Sequence, residues 1–136
     1  MTLRQKLFLV IALGYTAGVL YFSWIPTSPP TGSDMAVLVK RWLFNLLHVP
    51  VYTGMMAVWY ATLRPKLDWS WLRALAAVGI AAGIGGIGEL GQYWVPGRYP
   101  GWDDETLNFV GACLGAWALY YLKVRRHVRK TGVERK

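Results

Sequence analysis

Glu89 lies in a stretch from Ala74 to Val95 that carries no other charge, and Gln92 follows one turn later. A carboxyl at membrane depth costs about 2.5 kcal/mol or more to insert, so it faces a protein interior or a wet cavity and marks function by default. His48 stands in a second apolar run, with Asn45 before it and Tyr52 after it. Arg98, Asp103, Asp104 and Glu105 follow Pro96-Gly97, and Asn108 comes next. These residue types suit acid–base chemistry or recognition of a polar ligand. His48 fits a general base and Glu89 a general acid or metal ligand. The planar fork of Arg98 matches a phosphate. Tyr52, Gln92, Asp104 and Asn108 offer further ligand-binding groups. Asp103 and Asp104 suit a divalent cation, but no tight metal-ligand spacing exists, so no metal is assigned. The sequence names no cofactor. It contains no nucleophile elbow, zinc motif or phosphate loop.

The elements that must position these groups are read from composition and pattern. The chain has 136 residues, of which 54% are apolar and only 16% charged. That charge content lies well below the roughly 25% of a soluble domain. The charges are segregated, and eight Trp and eight Tyr suit membrane–water interfaces. Four apolar runs appear: Leu7 to Trp24, Trp42 to Leu63, Leu72 to Val95 and Thr106 to Leu122. Each is long enough to cross a hydrocarbon core of roughly 30 Å. The reading is an all-α integral membrane bundle of four transmembrane helices over residues 1–122, with a basic cytoplasmic tail at 123–136. The first run is read as a retained helix, because no small-x-small cleavage site follows it.

Orientation follows from the basic residues. Of 15 Lys and Arg, 12 lie in the N-terminus, the second loop (with Arg64, Lys66 and Arg73) and the tail. Both termini are therefore expected in the cytoplasm, with the first and third loops outside. The net charge of +8 is concentrated after Leu122, which suits anionic lipid headgroups and not nucleic acid. The single Cys113 excludes an internal disulfide and reads as a small packing residue.

With that topology, His48, Glu89 and Asn108 fall in one outer-leaflet layer below a charged loop. Helical spacing supports inward faces: Gly85, Glu89 and Gln92 share a stripe, as do Asp104, Asn108, Gly111 and Gly115, and Asn45, His48 and Tyr52. Gly111-x-x-x-Gly115, Gly79-x-x-x-Gly83 and Gly14-x-x-x-Gly18 are candidate close-packing sites. Asp104 sits where an acid favours the start of the fourth helix. Pro50 is expected to free the carbonyl of Leu46 and to kink the second helix or shape a pocket.

Glu89-x-x-Gln92, Pro96-x-Arg98, Asp104, Asn108 and the Gly111/Gly115 pair, with His48 and Tyr52 upstream, resemble the motif of VanZ-like membrane proteins. The resemblance covers about Leu43 to Leu119. Phe44-Asn45 replaces an Asp-Lys common in the family, and Gly101 stands where a Ser or Thr is common. The family is named after a protein linked to resistance to the glycopeptide teicoplanin. The resemblance thus implies an envelope role in the bacterial cytoplasmic (inner) membrane, as a multi-pass protein.

Three functions compete. One is a pocket that binds an anionic or lipid-linked cell-wall headgroup among the membrane lipids, or an envelope-synthesis protein partner. A second is an enzyme acting on such a lipid through His48 and Glu89. A third is a small transporter. The plainer alternative is an interhelical hydrogen-bond network with no ligand. The orientation has a direct test. On a Cys113→Ser background, Trp102→Cys is expected to react with an impermeant thiol reagent from outside, and Lys66→Cys is not. The reverse labelling pattern would overturn the outward polar layer.

Overall fold

The computed structural model describes residues 2–26, 42–43, 45–63 and 70–131. The expected loops around Lys40 and Arg41 and around Arg64 and Lys66, and the tail cations Arg135 and Lys136, lie outside the described residues. The described chain is all-helical, with four helices: α1 Leu3–Ser23, α2 His48–Leu63, α3 Ser70–Gln92 and α4 Trp102–Thr131. α1, α3 from Trp71, and α4 to Arg129 are long and apolar enough to cross a membrane. α2, with 16 residues, spans about 24 Å. The basic segment from Lys123 opens inside α4, which continues unbroken to Thr131.

Local chemistry sets the helix ends. At the start of α1, Thr2 Oγ1 accepts from the Gln5 amide at 3.3 Å, and Gln5 Oε1 accepts from the Thr2 amide at 2.8 Å. This reciprocal pairing satisfies two otherwise orphaned donors. The run from Trp42 is not one continuous helix. A turn at Leu47 precedes α2, which begins at His48. This places Pro50 in the first turn of α2, where a missing amide proton costs nothing and the fixed φ is already helical. The helical run is thus interrupted at Leu47, next to Leu46, whose carbonyl has no Pro50 amide proton to accept. After α3, i to i+3 bonds from Tyr93, Trp94 and Val95 tighten the chain. A turn then closes through the Arg98 amide on the Val95 carbonyl at 3.2 Å. Gly97 occupies its third position with φ of +76°, and Pro96 its second, as in a type II turn.

α2 and α3 form the middle of the bundle. α1 and α4 each pack against both and do not touch one another. The buried core is small: Tyr52, Met55 and Met56 of α2, Ala77, Val78, Ala81 and Ile84 of α3, and Ala112 of α4. Large apolar side chains such as Leu7, Leu13, Ile87, Phe109 and Trp117 point outward, as expected where lipid replaces water. Cys113 also faces out, on the α4 face turned away from Ala112, and so does not pack the core.

Of the three glycine pairs, only one serves close approach. A Cβ on Gly111 would collide with the Val49 carbonyl oxygen, and one on Gly115 would lie 3.0 Å from the Thr53 carbonyl oxygen. The α2 and α4 backbones thus meet at Gly111 and Gly115, and Thr53 Oγ1 donates to the Gly111 carbonyl at 2.8 Å. Gly14, Gly18, Gly79 and Gly83 have open space at the Cβ position, so their expected packing role is not realised. Gly111→Ala is expected to cost about 1–3 kcal/mol in detergent unfolding, because backbone and not a flexible side chain must yield. Gly79→Ala is expected to be neutral or slightly stabilising. Equal stability of the two variants would contradict the α2–α4 contact.

Candidate functional site

Because successive helices run in opposite directions, the C-terminal ends of α1 and α3 and the N-terminal ends of α2 and α4 meet at one end of the bundle. A cavity of about 560 Å³ opens there. His48 and Tyr52 of α2, Glu89 and Gln92 of α3, Arg98 of the turn and Asp104 of α4 all line it. Six of the seven residues singled out from sequence are therefore brought together. Asn108 is the exception. It is fully buried, has no place in the cavity wall, and packs on the open face of Gly85. Its Nδ2 donates to Glu105 Oε2 at 3.1 Å, while Oδ1 has no hydrogen-bond partner among the described residues.

Glu89 is 9% exposed and Gln92 5%. Gln92 Nε2 donates to Glu89 Oε1 at 3.2 Å and to Ser23 Oγ of α1 at 3.0 Å. The other carboxylate oxygen of Glu89 accepts the Gly101 amide at 3.1 Å. Glu89 thus faces a helix interface and is held by partners from two elements. His48 Nδ1 lies 2.9 Å from the Asn45 carbonyl oxygen. A carbonyl can only accept, so Nδ1 carries a proton and Nε2 is the ring nitrogen left for another partner. The His48 and Tyr52 rings lie nearly parallel, with centroids 6.4 Å apart and planes inclined at 13°. His48, Glu89 and Asp104 each bring one ligand-capable atom within 4.8 Å of the others. That arrangement can hold a cation or relay a proton. Asp103, paired with Asp104 in the sequence reading as a cation binder, is exposed and outside this cluster.

Arg98 departs from expectation. Its Nε donates to the Ile25 carbonyl at 3.0 Å and an Nη2 proton to the Phe22 carbonyl at 2.9 Å. Both acceptors are carbonyls at or just beyond the end of α1, where no intrahelical donor remains. A cation there also offsets the negative end of the helix dipole. Arg98 therefore fastens α1 to the α3–α4 turn, and is not an idle loop cation. Three of its five donor protons stay uncommitted by these two bonds.

α1 supplies cavity-lining positions that the sequence reading did not single out. Tyr15, Val19, Phe22 and Ser23 line the cavity, and Tyr15 Oη donates to the Val51 carbonyl at 2.9 Å. Tyr15, Val19 and Ser23 recur at i, i+4 and i+8, a stripe that was legible. Trp24 Nε1 donates to the Gly88 carbonyl at 3.0 Å, and its indole lies against Gly91, where any Cβ would collide with it.

Arg98→Lys keeps the charge but loses the planar two-point attachment. The variant is expected to lose about 1–2 kcal/mol of stability in detergent. Gly97→Ala, strained at positive φ, is expected to lose about 1 kcal/mol and to loosen the same junction. Unchanged melting for Arg98→Lys would show that the α1 clamp contributes nothing.

A family model described as VanZ/LLP1 matches residues 6–123. No curated protein and no solved structure matches the chain. The match takes in α2 and α3 whole, most of α1 and α4, and every residue of the cavity, and the chain belongs to the VanZ/LLP1 family.

Proposed function

We propose that the cavity binds the polar headgroup of a membrane amphiphile, either an anionic lipid or a lipid-linked cell-wall precursor. In this reading the chain crosses a bacterial cytoplasmic membrane four times, with α2 as the fourth span and both termini inside. The cavity then opens at the outer leaflet, where such headgroups lie. The wall composition of the cavity carries the proposal. His48, Glu89, Gln92, Arg98 and Asp104 share the cavity wall with Val19, Phe22, Leu47 and Val51. A wall of mixed polar and apolar groups suits a molecule with a headgroup and a chain. The volume falls within the roughly 300–1,000 Å³ of small-molecule pockets. A pure packing network needs no such space, since interiors close to crystal density. The envelope role implied by the family name, altered glycopeptide susceptibility, follows if the bound lipid is a wall precursor.

The two open glycines of α1 provide the test. Gly18 lines the cavity and has nothing within 4 Å of its Cβ position, and Gly14 is equally open but outside the wall. Gly18→Leu is expected to fill the cavity and abolish lipid retention in native mass spectrometry of purified protein. Gly14→Leu is expected to retain lipid like the parent, and both variants are expected to melt at or above the parent temperature, since Leu exceeds Gly in helix propensity by about 0.8 kcal/mol. Equal retention by the two variants would remove the cavity from the explanation.

A further inference from the structure

A phosphate entering this cavity meets the carboxyls of Glu89 and Asp104, against one guanidinium already bonded to the Phe22 and Ile25 carbonyls. Two like charges at close range oppose an anion by several-fold more than they do in water. Something must offset them. We propose that His48, Glu89 and Asp104 hold one divalent transition-metal cation, whose open positions take a phosphate oxygen of the headgroup. The cation site stands on geometry alone, and its use for a headgroup rests on the lipid-binding reading.

The ligand atoms of the three side chains lie within 4.8 Å of one another, the span of groups gathered around a single ion. Each has a lone pair to give. His48 Nδ1 is turned to the Asn45 carbonyl, so Nε2 is the nitrogen that would meet the cation. An imidazole whose second nitrogen donates to a backbone carbonyl is the arrangement that orients metal-bound histidines. Each Glu89 oxygen accepts one hydrogen bond and keeps a second acceptor site, and these two bonds fix the carboxylate plane. Asp104 Oδ1 is buried and has no hydrogen-bond partner among the described residues. A carboxylate oxygen shielded from water with no donor is costly unless a cation meets it.

The ligand types narrow the ion. Carboxylates alone suit Mg²⁺, Ca²⁺ or Mn²⁺, whereas an added imidazole shifts the preference toward transition metals such as Zn²⁺, with Mn²⁺ a spectroscopic probe of the mixed set. Two carboxylates and a neutral imidazole give a charge-balanced site with a divalent ion. Three protein ligands leave positions open, as in sites that bind a further molecule and unlike closed structural zinc sites. The ligands are 41 and 15 residues apart along the chain, so no short spacing announces them.

The test uses the full chain, purified without a polyhistidine tag and stripped with chelator. Mn²⁺ is titrated and followed by electron paramagnetic resonance. About one equivalent is expected to bind, with a rise in melting temperature. Asp104→Asn and Glu89→Gln keep shape and are each expected to weaken binding about tenfold or more. His127→Ala is expected to have no effect. If the parent binds no Mn²⁺ or Zn²⁺, or if Asp104→Asn binds as the parent does while still folded, the cation site is overturned. A second arm measures Mn²⁺-induced relaxation of the phosphorus nucleus in phosphatidic acid micelles and in inorganic phosphate, relative to Asp104→Asn. Enhancement for the lipid supports both readings. Enhancement for free phosphate alone, or for neither, keeps the cation but overturns the headgroup. Lipid retained in chelator by a protein that binds no metal keeps the headgroup and overturns the cation.

Discussion

A carboxylate inside an apolar helix must be given partners, and the arrangement of this chain follows from how Glu89 obtains them. One oxygen takes Gln92 of its own helix, and Gln92 in turn reaches Ser23 of α1. The other takes the amide of Gly101, so the chain must return over the end of α3 before α4 begins. Pro96 and Gly97 make that return tight, and the turn aims Arg98 at the carbonyls of Phe22 and Ile25. α4 then starts at Trp102 with Asp104 facing the same space. Three of the four helix ends are thus tied through a single acidic residue.

The rest of the bundle divides according to how its helices are held. Lipid offers no hydrophobic drive between spans, so close packing and hydrogen bonds must serve. α2 and α4 use close packing, with Gly111 and Gly115 against the backbone of Val49 and Thr53. α1 relies instead on separate polar contacts. Tyr15 bonds the Val51 carbonyl, the Trp59 indole bonds Thr16, Thr62 bonds the Phe8 carbonyl and the Trp24 indole bonds the Gly88 carbonyl. Such bonds average about 0.6 kcal/mol each in membranes. Only Ala12 of α1 is fully buried. The cavity lies on this more loosely packed side, where helix spacing leaves room.

Helix existence and the clustering of polar groups were legible because both rest on strong signals. Long uncharged runs need a membrane, and a carboxyl within one needs partners. The stripe of Glu89 and Gln92 and that of His48 and Tyr52 fall where helical spacing put them. What was not legible depends on backbone. Gly111-x-x-x-Gly115 and Gly79-x-x-x-Gly83 are alike in sequence, and only the path of α2 distinguishes them. The start of α2 at His48 depends on a turn at Leu47 that the apolar run conceals. At Asn45 and Gly101, where the chain departs from its family's residue pattern, main-chain groups meet His48 and Glu89. A side-chain pattern cannot report a carbonyl or an amide. The hold of Arg98 on α1 was likewise hidden, because its acceptors are also main-chain groups, some 73 to 76 residues away.

The direction of the helices adds a final electrostatic argument. α2 and α4 begin at the polar end of the bundle, so the positive ends of two helix dipoles face the carboxylates of Glu89 and Asp104. α1 and α3 end there, and their negative ends oppose the same charges. At α1 that opposition is relieved, because Arg98 covers the terminal carbonyls. At α3 it is relieved in part by the tight turn, which spends the Leu90, Gly91 and Gln92 carbonyls on Tyr93, Trp94 and Val95. Each exposed helix start favours a nearby negative charge by about 0.3–1 kcal/mol. Negative charge gathered beside two helix starts is the setting in which the cation proposed above would sit.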